Sequence, residues 1–287
     1  MRRAPPERPY DPPIPSPAPD KLRFDGFAID LDGVVWLSHQ PIPGSIEALR
    51  ALGSGETPVV FITNDPRSTR AEHAARLTDL GAPTTTGQVL TSGAATARVV
   101  AAEHPGAAVL SIGTDSLARE IADCGLRPVT TAEADADGAP ELEAVIVGGG
   151  AGFDYETLRI SANAARGGAA LWATNIDATY PSSRGLTPGT GAIVAAIEYA
   201  SGVEATNVGK PEPLMFEQAL EILGLDDRPG TALMAGDTLG SDIDGGARAG
   251  MATAFILSGK DDREHIGDYE SEPDYVFEDL AALAAAL

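Results

Sequence analysis

Two aspartates stand two residues apart in the stretch Phe27-Ala28-Ile29-Asp30-Leu31-Asp32-Gly33-Val34-Val35-Trp36. The apolar run before them reads as a short buried strand. Strand side chains alternate faces, so Asp30 and Asp32 could point the same way. Gly33 lets the chain turn sharply away. Two carboxylates crowded at a strand's end repel each other. They need a cation, a proton or a long step apart, and a metal ion with a phosphate would explain them.

Three further signals follow the same style. Thr63-Asn64 closes the apolar run Pro58-Val59-Val60-Phe61-Ile62. Gly209-Lys210-Pro211 follows a loop and helix. Gly236-Asp237 closes Thr231-Ala232-Leu233-Met234-Ala235, with Asp242 five residues further on. Singly they are weak, since Asp-x-Asp-Gly is more often a turn or a calcium-loop fragment and a Lys-Pro is usually a solvated lysine. Weight comes from their joint order along the chain.

The elements that must position them alternate between strand and helix. Helices are expected from Ser45 to Leu52, after a Ser68 cap and closed by Gly81, and from Thr91-Ser92 to Glu103. A second set follows: strand Val109–Ile112, helix Asp115–Asp123, an acidic loop Thr130–Pro140 and strand Glu143–Val147. Then come helix Tyr155–Arg166, strand Ala169–Ala173, a long polar loop Thr174–Pro188 and a helix from Gly189-Thr190-Gly191 to Ser201-Gly202. The last part gives helix Pro213–Leu223, strand Thr231–Ala235, helix Ser241–Ala249, strand Thr253–Leu257, strand Tyr275–Phe277 and a final helix. This alternation predicts an α/β fold with a doubly wound parallel sheet, whose chemistry sits at the carboxyl ends of strands.

The four motifs, together with Leu186-Thr187-Pro188-Gly189-Thr190-Gly191 before Val208-Gly209-Lys210-Pro211, resemble the haloacid dehalogenase superfamily. The branch resembled is that of p-nitrophenylphosphatase-like and phosphoglycolate or glycerol-phosphate phosphatases. The likeness runs from about residue 24 to the end. It implies a Rossmann-like core with an inserted α/β cap of type C2, divided as core 21–101, cap 102–205 and core 206–287. It implies a Mg²⁺-dependent phosphatase of small phosphorylated metabolites. Asp30 would attack phosphorus and bind metal. Asp32 would protonate the leaving oxygen, activate the water, and ligate metal through its backbone carbonyl. Asp237 would be the acidic metal ligand, and Asp242 would hold a metal-bound water or the lysine. Lys210, Thr63 and Asn64 would hold the phosphoryl oxygens. The cap loop Asn175–Pro181 is the candidate for substrate contact, with Tyr180 and Asp177 foremost. Caps of this kind often meet in dimers, which leaves a homodimer through the cap open. A phosphotransferase or mutase, or a silent phosphosugar-binding regulator, would share the same motifs.

One departure stands out. The family often has Asn or Ser after the Thr-Asn pair, whereas this chain has Asp65-Pro66-Arg67. A charge there would repel phosphate, so Asp65 either caps the helix from Ser68 or pairs with Arg67. The cap is the expectation.

Other classes are disfavoured. With a net charge of −22 and three lysines, the 287-residue chain lacks a basic footprint for nucleic acid. It has no apolar run of about 18 residues for a membrane span and no apolar stretch after Met1-Arg2-Arg3 for a signal peptide. The lone Cys124 permits no internal disulfide and fits a reducing cytoplasm. Val145–Phe153 mimics a dinucleotide fingerprint but has Phe153 where the third glycine belongs, so Gly148–Gly150 reads as flexible glycines, a lip over the site. Scattered histidines give no zinc spacing. Residues 1–20, rich in proline, are expected to be a disordered or extended tail.

Overall fold

The computed structural model describes residues 21–38, 40–53, 55–150, 152–182 and 185–287. The proline-rich tail lies outside the described residues. Two parallel sheets organise the rest. The larger has six strands in the order Tyr275–Phe277, Ala252–Ile256, Ala232–Gly236, Gly26–Asp30, Val59–Thr63 and Val89–Thr91. The smaller has five, in the order Thr206–Asn207, Ala170–Ala173, Ala144–Val147, Ala108–Ile112 and Arg127–Val129. Every neighbouring pair within both sheets is parallel.

In the larger sheet the chain starts at the centre, steps outward through Val59–Thr63 and Val89–Thr91, and leaves to build the smaller sheet. It returns on the other side of Gly26–Asp30. The strand order therefore reverses at Gly26–Asp30, and a crevice opens there at the carboxyl ends. All five residues of this strand are buried, as are those of Val59–Thr63 and Ala232–Gly236. Near-continuous apolar runs are what a parallel sheet covered on both faces requires. Phe27, Ile29, Phe61 and Leu233 pack on one face of the sheet, while Ala28, Val60, Ile62 and Met234 pack on the other.

Several local expectations are corrected. The opening strand ends at Asp30; Asp32 lies beyond it, in a turn closed by Gly33 N donating to Trp36 O at 2.8 Å. Thr69, not Ser68, caps the helix Arg70–Asp79. Thr69 Oγ1 accepts from Glu72 N and Glu72 Oε2 accepts from Thr69 N, a reciprocal box. Ser68 has Ala71 three residues on and cannot form it. The stretch Thr130–Pro140 contains a short helix, Thr131–Ala134, opened by the same kind of box between Thr130 and Glu133. The polar loop Thr174–Pro188 contains an antiparallel hairpin, Thr179–Ser182 with Gly185–Pro188. Ser241–Ala249 is a wide turn, Leu239–Ile243, followed by a short helix Asp244–Arg248. Gly148 and Gly149 are buried against the core rather than forming an open lip. A Cβ on Gly148 would come within 2.7 Å of Leu117 Cδ2 and 3.5 Å of Pro66 Cβ.

The cap is fastened to the core by ionic contacts as well as by packing. Arg70, at the start of Arg70–Asp79, donates through Nε to Glu120 Oε2 at 2.7 Å and through its backbone N to Oε1 at 2.6 Å. Glu120 belongs to the cap helix Asp115–Asp123, and its side chain is 2% exposed. Beside it, Ser116 Oγ and Arg119 Nη1 donate to Glu72. Removing one partner of a buried pair leaves the other charge uncompensated, which costs about 3 kcal/mol or more. Glu120→Ala is therefore expected to lower stability by about 3 kcal/mol in urea unfolding. Exposed Glu156→Ala, at a surface pair with Arg159, should cost under about 1 kcal/mol.

Candidate active site

The motifs converge on the reversal point of the large sheet. Asp30 is the last residue of its strand, Thr63 ends the neighbouring strand, and Asp237 follows Gly236 on the other side. Lys210 arrives from the return segment after the cap. Its Nζ lies 2.7 Å from Asp30 Oδ1 and 2.6 Å from Asp242 Oδ1, and its side chain is 3% exposed. Carboxylate oxygens of Asp30, Asp237 and Asp242 all lie within 4.8 Å of one another.

Each side chain has a local support. Asp237 Oδ2 accepts from Lys260 N at 2.7 Å, and its Oδ1 accepts from Thr238 Oγ1 at 3.3 Å. Gly33 packs so close to Asp237 Oδ2 that any Cβ there would collide with it, and its φ of +89° also favours glycine. Asp242 sits in the wide turn Leu239–Ile243. Its second oxygen accepts from Thr238 N at 3.0 Å, so both oxygens are engaged. Asp32 is exposed and accepts from Trp36 Nε1 at 3.1 Å. Trp36 is itself fully buried and stacked near His73.

Electrostatics follow from this crowding. Burial raises the pKa of Asp30 well above the usual carboxylate value; Lys210 opposes the rise, while Asp242 and Asp237 add to it. Asp237 is pushed up to about 6, chiefly by burial and then by Asp242. Burial alone would lower the Lys210 ammonium's pKa, but Asp242 and Asp30 outweigh it and raise the value. Three carboxylates and one ammonium leave a local excess of negative charge. An all-oxygen set of this kind suits a hard divalent cation.

The residues expected to hold phosphate lie close to the same strand end. Thr63 Oγ1 accepts from Asp65 N at 3.1 Å, which leaves its own O–H available as a donor. Asn64 Nδ2 donates to Lys210 O at 2.9 Å and stands 3.4 Å from Asp177 Oδ2 of the cap. Asp65 does not cap the helix. Arg67 takes it in a two-pronged pair, Nε to Oδ1 at 2.7 Å and Nη2 to Oδ2 at 3.0 Å, with Arg67 N also donating to Oδ1. Burial would raise the pKa of Asp65, but the Arg67 hydrogen bonds and charge bring it below its ordinary value. The guanidinium in turn lies over the ring of Tyr180, 4.6 Å from its centroid. Both candidate residues of the cap loop, Asp177 and Tyr180, therefore stand beside the core loop that carries Thr63 and Asn64.

Sequence reasoning missed two contributors, Lys260 and the part played by Trp36, and named a third, Asn175, only as a member of the cap loop. Lys260 supports Asp237 through its backbone N–H, and the signal was available, since Ser258-Gly259-Lys260 follows an expected strand of the same sheet. Asn175, 3% exposed, donates to Asn64 O at 2.8 Å and ties the cap loop to the core. Trp36, read only as part of the strand, holds Asp32. Cys124 is half-buried at a helix end, and burial raises the pKa of its thiol, the direction away from a nucleophile.

Comparison with known proteins agrees with this geometry. Residues 27–127 match a family described as haloacid dehalogenase-like hydrolase, and residues 207–283 match one described as HAD-hydrolase-like. The 5'-nucleotidase YutF of Bacillus subtilis is 32% identical over 90% of this chain and 96% of its own length. The p-nitrophenyl phosphatase from Archaeoglobus fulgidus superposes with a TM-score of 0.85 at 31% identity, over 93% of this chain and 100% of that one. A glycerol phosphate phosphatase from Mycobacterium tuberculosis, solved in complex with magnesium, gives a TM-score of 0.80 at 35% identity, over 91% and 76% of the two chains.

The raised carboxyl groups set a pH dependence. A cation at this site must displace protons from Asp30 and Asp237. With Asp237 near 6, Mg²⁺ affinity should fall about tenfold or more from pH 7.5 to pH 5. For the metal-free chain the sign is opposite. Asp237 binds its proton more tightly folded than unfolded, where its value is about 3.9. Metal-free stability therefore declines as pH rises from about 4 to about 6. Calorimetric Mg²⁺ titrations and thermal melts with EDTA at both pH values check the two signs.

Proposed function

Because the chain belongs to the haloacid dehalogenase-like hydrolases, we propose that it hydrolyses small phosphorylated metabolites through an aspartyl-phosphate on Asp30. The observation that carries this reading is the meeting of Asp30, Lys210, Asp237 and Asp242 at the ends of two neighbouring strands, from three separate places in the chain. It is a phosphoric monoester hydrolase by family, and the residue roles follow from position.

Asp30 attacks phosphorus, and the bond from phosphorus to the leaving oxygen breaks. Asp32 gives its proton to that oxygen, so a neutral alcohol departs. Asp32 then takes a proton from water as the water attacks the aspartyl-phosphate, which frees Asp30 and inorganic phosphate. Splitting hydrolysis this way gives two easier displacements. Lys210 holds one oxygen of Asp30 and favours the ionised form of the attacking group, in opposition to burial. Thr63 turns its hydroxyl proton toward the phosphoryl oxygens, and the Asn64 amide holds the Lys210 loop in place. Asp30, Asp237 and the backbone carbonyl of Asp32 would hold Mg²⁺, with Asp242, one oxygen of which is taken up by the Lys210 ammonium, acting through a water. Bound there, the ion supplies positive charge to the phosphoryl oxygens.

The segment that builds the smaller sheet, expected over 102–205 and reaching Asn207 through strand Thr206–Asn207, acts as the cap that excludes water and selects the alcohol. Cytoplasmic residence is part of the reading and fits the lone thiol. Among the described residues, no helix is long and apolar enough to cross a membrane. A homodimer through the cap also belongs to it; Tyr155 and Tyr199, 78% and 95% exposed on cap helices, are aromatics such a contact would cover. Light scattering should give twice the chain mass, and a monomer mass would remove the dimer from the reading.

Turnover of p-nitrophenyl phosphate should require Mg²⁺ and stop in excess EDTA. Asp30→Asn should abolish turnover with an unchanged circular dichroism spectrum. Asp32→Asn should lose about 10²- to 10⁴-fold with glycerol phosphate, whose alkoxide needs a proton, and much less with p-nitrophenyl phosphate. Equal losses with both substrates would remove Asp32 from the acid role.

A further inference from the structure

Asp65 places a carboxylate one residue beyond the Thr63-Asn64 cradle, where its charge would repel a phosphate dianion. Arg67 answers that charge through both of its forked N–H groups. The same guanidinium covers the ring of Tyr180 from the cap hairpin. Its backbone carbonyl also accepts from the cap's Thr114 Oγ1 at 3.3 Å. One core residue thus meets a repulsive charge at the cradle and two separate parts of the cap. The pair is 10% exposed on the Asp65 side and 43% on the Arg67 side, so the carboxylate is covered while the guanidinium borders the opening.

We propose that Arg67 is a specificity-determining positioning residue. It cancels Asp65 for the incoming phosphate and, by its stack on Tyr180, sets the cap wall that the leaving group meets. The two duties are separable, because the first needs only charge balance and the second needs the ring. Lys at this position would keep the charge but lose the flat fork that pairs with a carboxylate and stacks on an aromatic at once.

This inference rests on the phosphatase reading, and the test keeps the two apart. The probes are inorganic phosphate, which has no leaving group, and p-nitrophenyl phosphate, which has one. Phosphate affinity is read by calorimetry with Mg²⁺ present, and KM and kcat by turnover. Tyr180→Ala should raise KM for p-nitrophenyl phosphate about 3- to 30-fold, change kcat by less than about threefold, and leave phosphate affinity as in the parent. Tyr180→Phe, which keeps the ring, should restore KM. Arg67→Ala should weaken both probes, because it also uncovers Asp65. Adding Asp65→Asn to Arg67→Ala should recover phosphate affinity while KM stays at the Tyr180→Ala level. The proposal is overturned if Arg67→Ala changes neither probe, if the double variant fails to recover phosphate, or if Tyr180→Ala weakens phosphate as much as substrate. Absence of Mg²⁺-dependent turnover in the parent would defeat the phosphatase reading alone. Phosphate calorimetry would then still read the Asp65–Arg67 pair.

Discussion

A single buried ammonium holds the reacting end of this molecule together. Lys210 has almost no contact with solvent, and an unpaired charge in that position would be prohibitively unstable. Its two partners, Asp30 and Asp242, lie 180 and 32 residues away in sequence. The central strand, the return segment after the cap and the turn after Ala232–Gly236 must therefore meet before the charge is satisfied. Small residues make the meeting sterically possible. Gly236 faces the Asp242 carboxylate so closely that a side chain there would displace it. The Asn64 amide completes the arrangement by holding the carbonyl of Lys210 itself.

The same pairing leaves a charge problem that shapes the chemistry. Lys210 neutralises only one of the three carboxylates around it. Burial first, and then the remaining negative charge, raise Asp30 and Asp237 above the ordinary carboxylate range. A divalent cation resolves the repulsion and prepares the site for a phosphate dianion. The overall charge of −22 has little say here, because at physiological salt it is screened within about 8 Å. Local balance decides whether phosphate is welcome, which is why the extra carboxylate of Asp65 comes with its own arginine.

Much of the frame could be read from sequence because it rests on local patterns. Apolar runs ending in Asp, Thr-Asn or Gly-Asp mark buried parallel strands and their carboxyl ends, and helix Tyr155–Arg166 and strand Tyr275–Phe277 match their expected bounds. What escaped depends on partners distant in the chain. Strand Arg127–Val129 contains a proline, and Thr206–Asn207 is only two residues long; each is a strand because a sheet edge accepts it. The hairpin Thr179–Ser182 with Gly185–Pro188 lacks a strong two-residue turn signal. At the site, strand alternation was the wrong reason for placing Asp30 near Asp32, since Asp32 has already left the strand. Trp36, four residues on, is what holds it. Asp65 was assigned as a cap because Asx residues often are, but the nearby arginine offers a charged bond that a capping N–H does not match.

The carbonyl of Asn64 ties the core segment after Val59–Thr63 to the cap loop. It accepts from Ser92 Oγ at 2.9 Å on the core side and from Asn175 Nδ2 at 2.8 Å on the cap side. Asn175 Oδ1 also accepts from Asp177 N, which fixes the turn that leads toward Tyr180. These hydrogen bonds link the cap loop to the segment that carries Thr63 and Asn64, and Arg67 links that segment onward to Tyr180. Under the phosphatase reading the leaving group therefore meets a seam rather than the cap alone, because Asn64, Asp65 and Arg67 stand against Asn175, Asp177 and Tyr180.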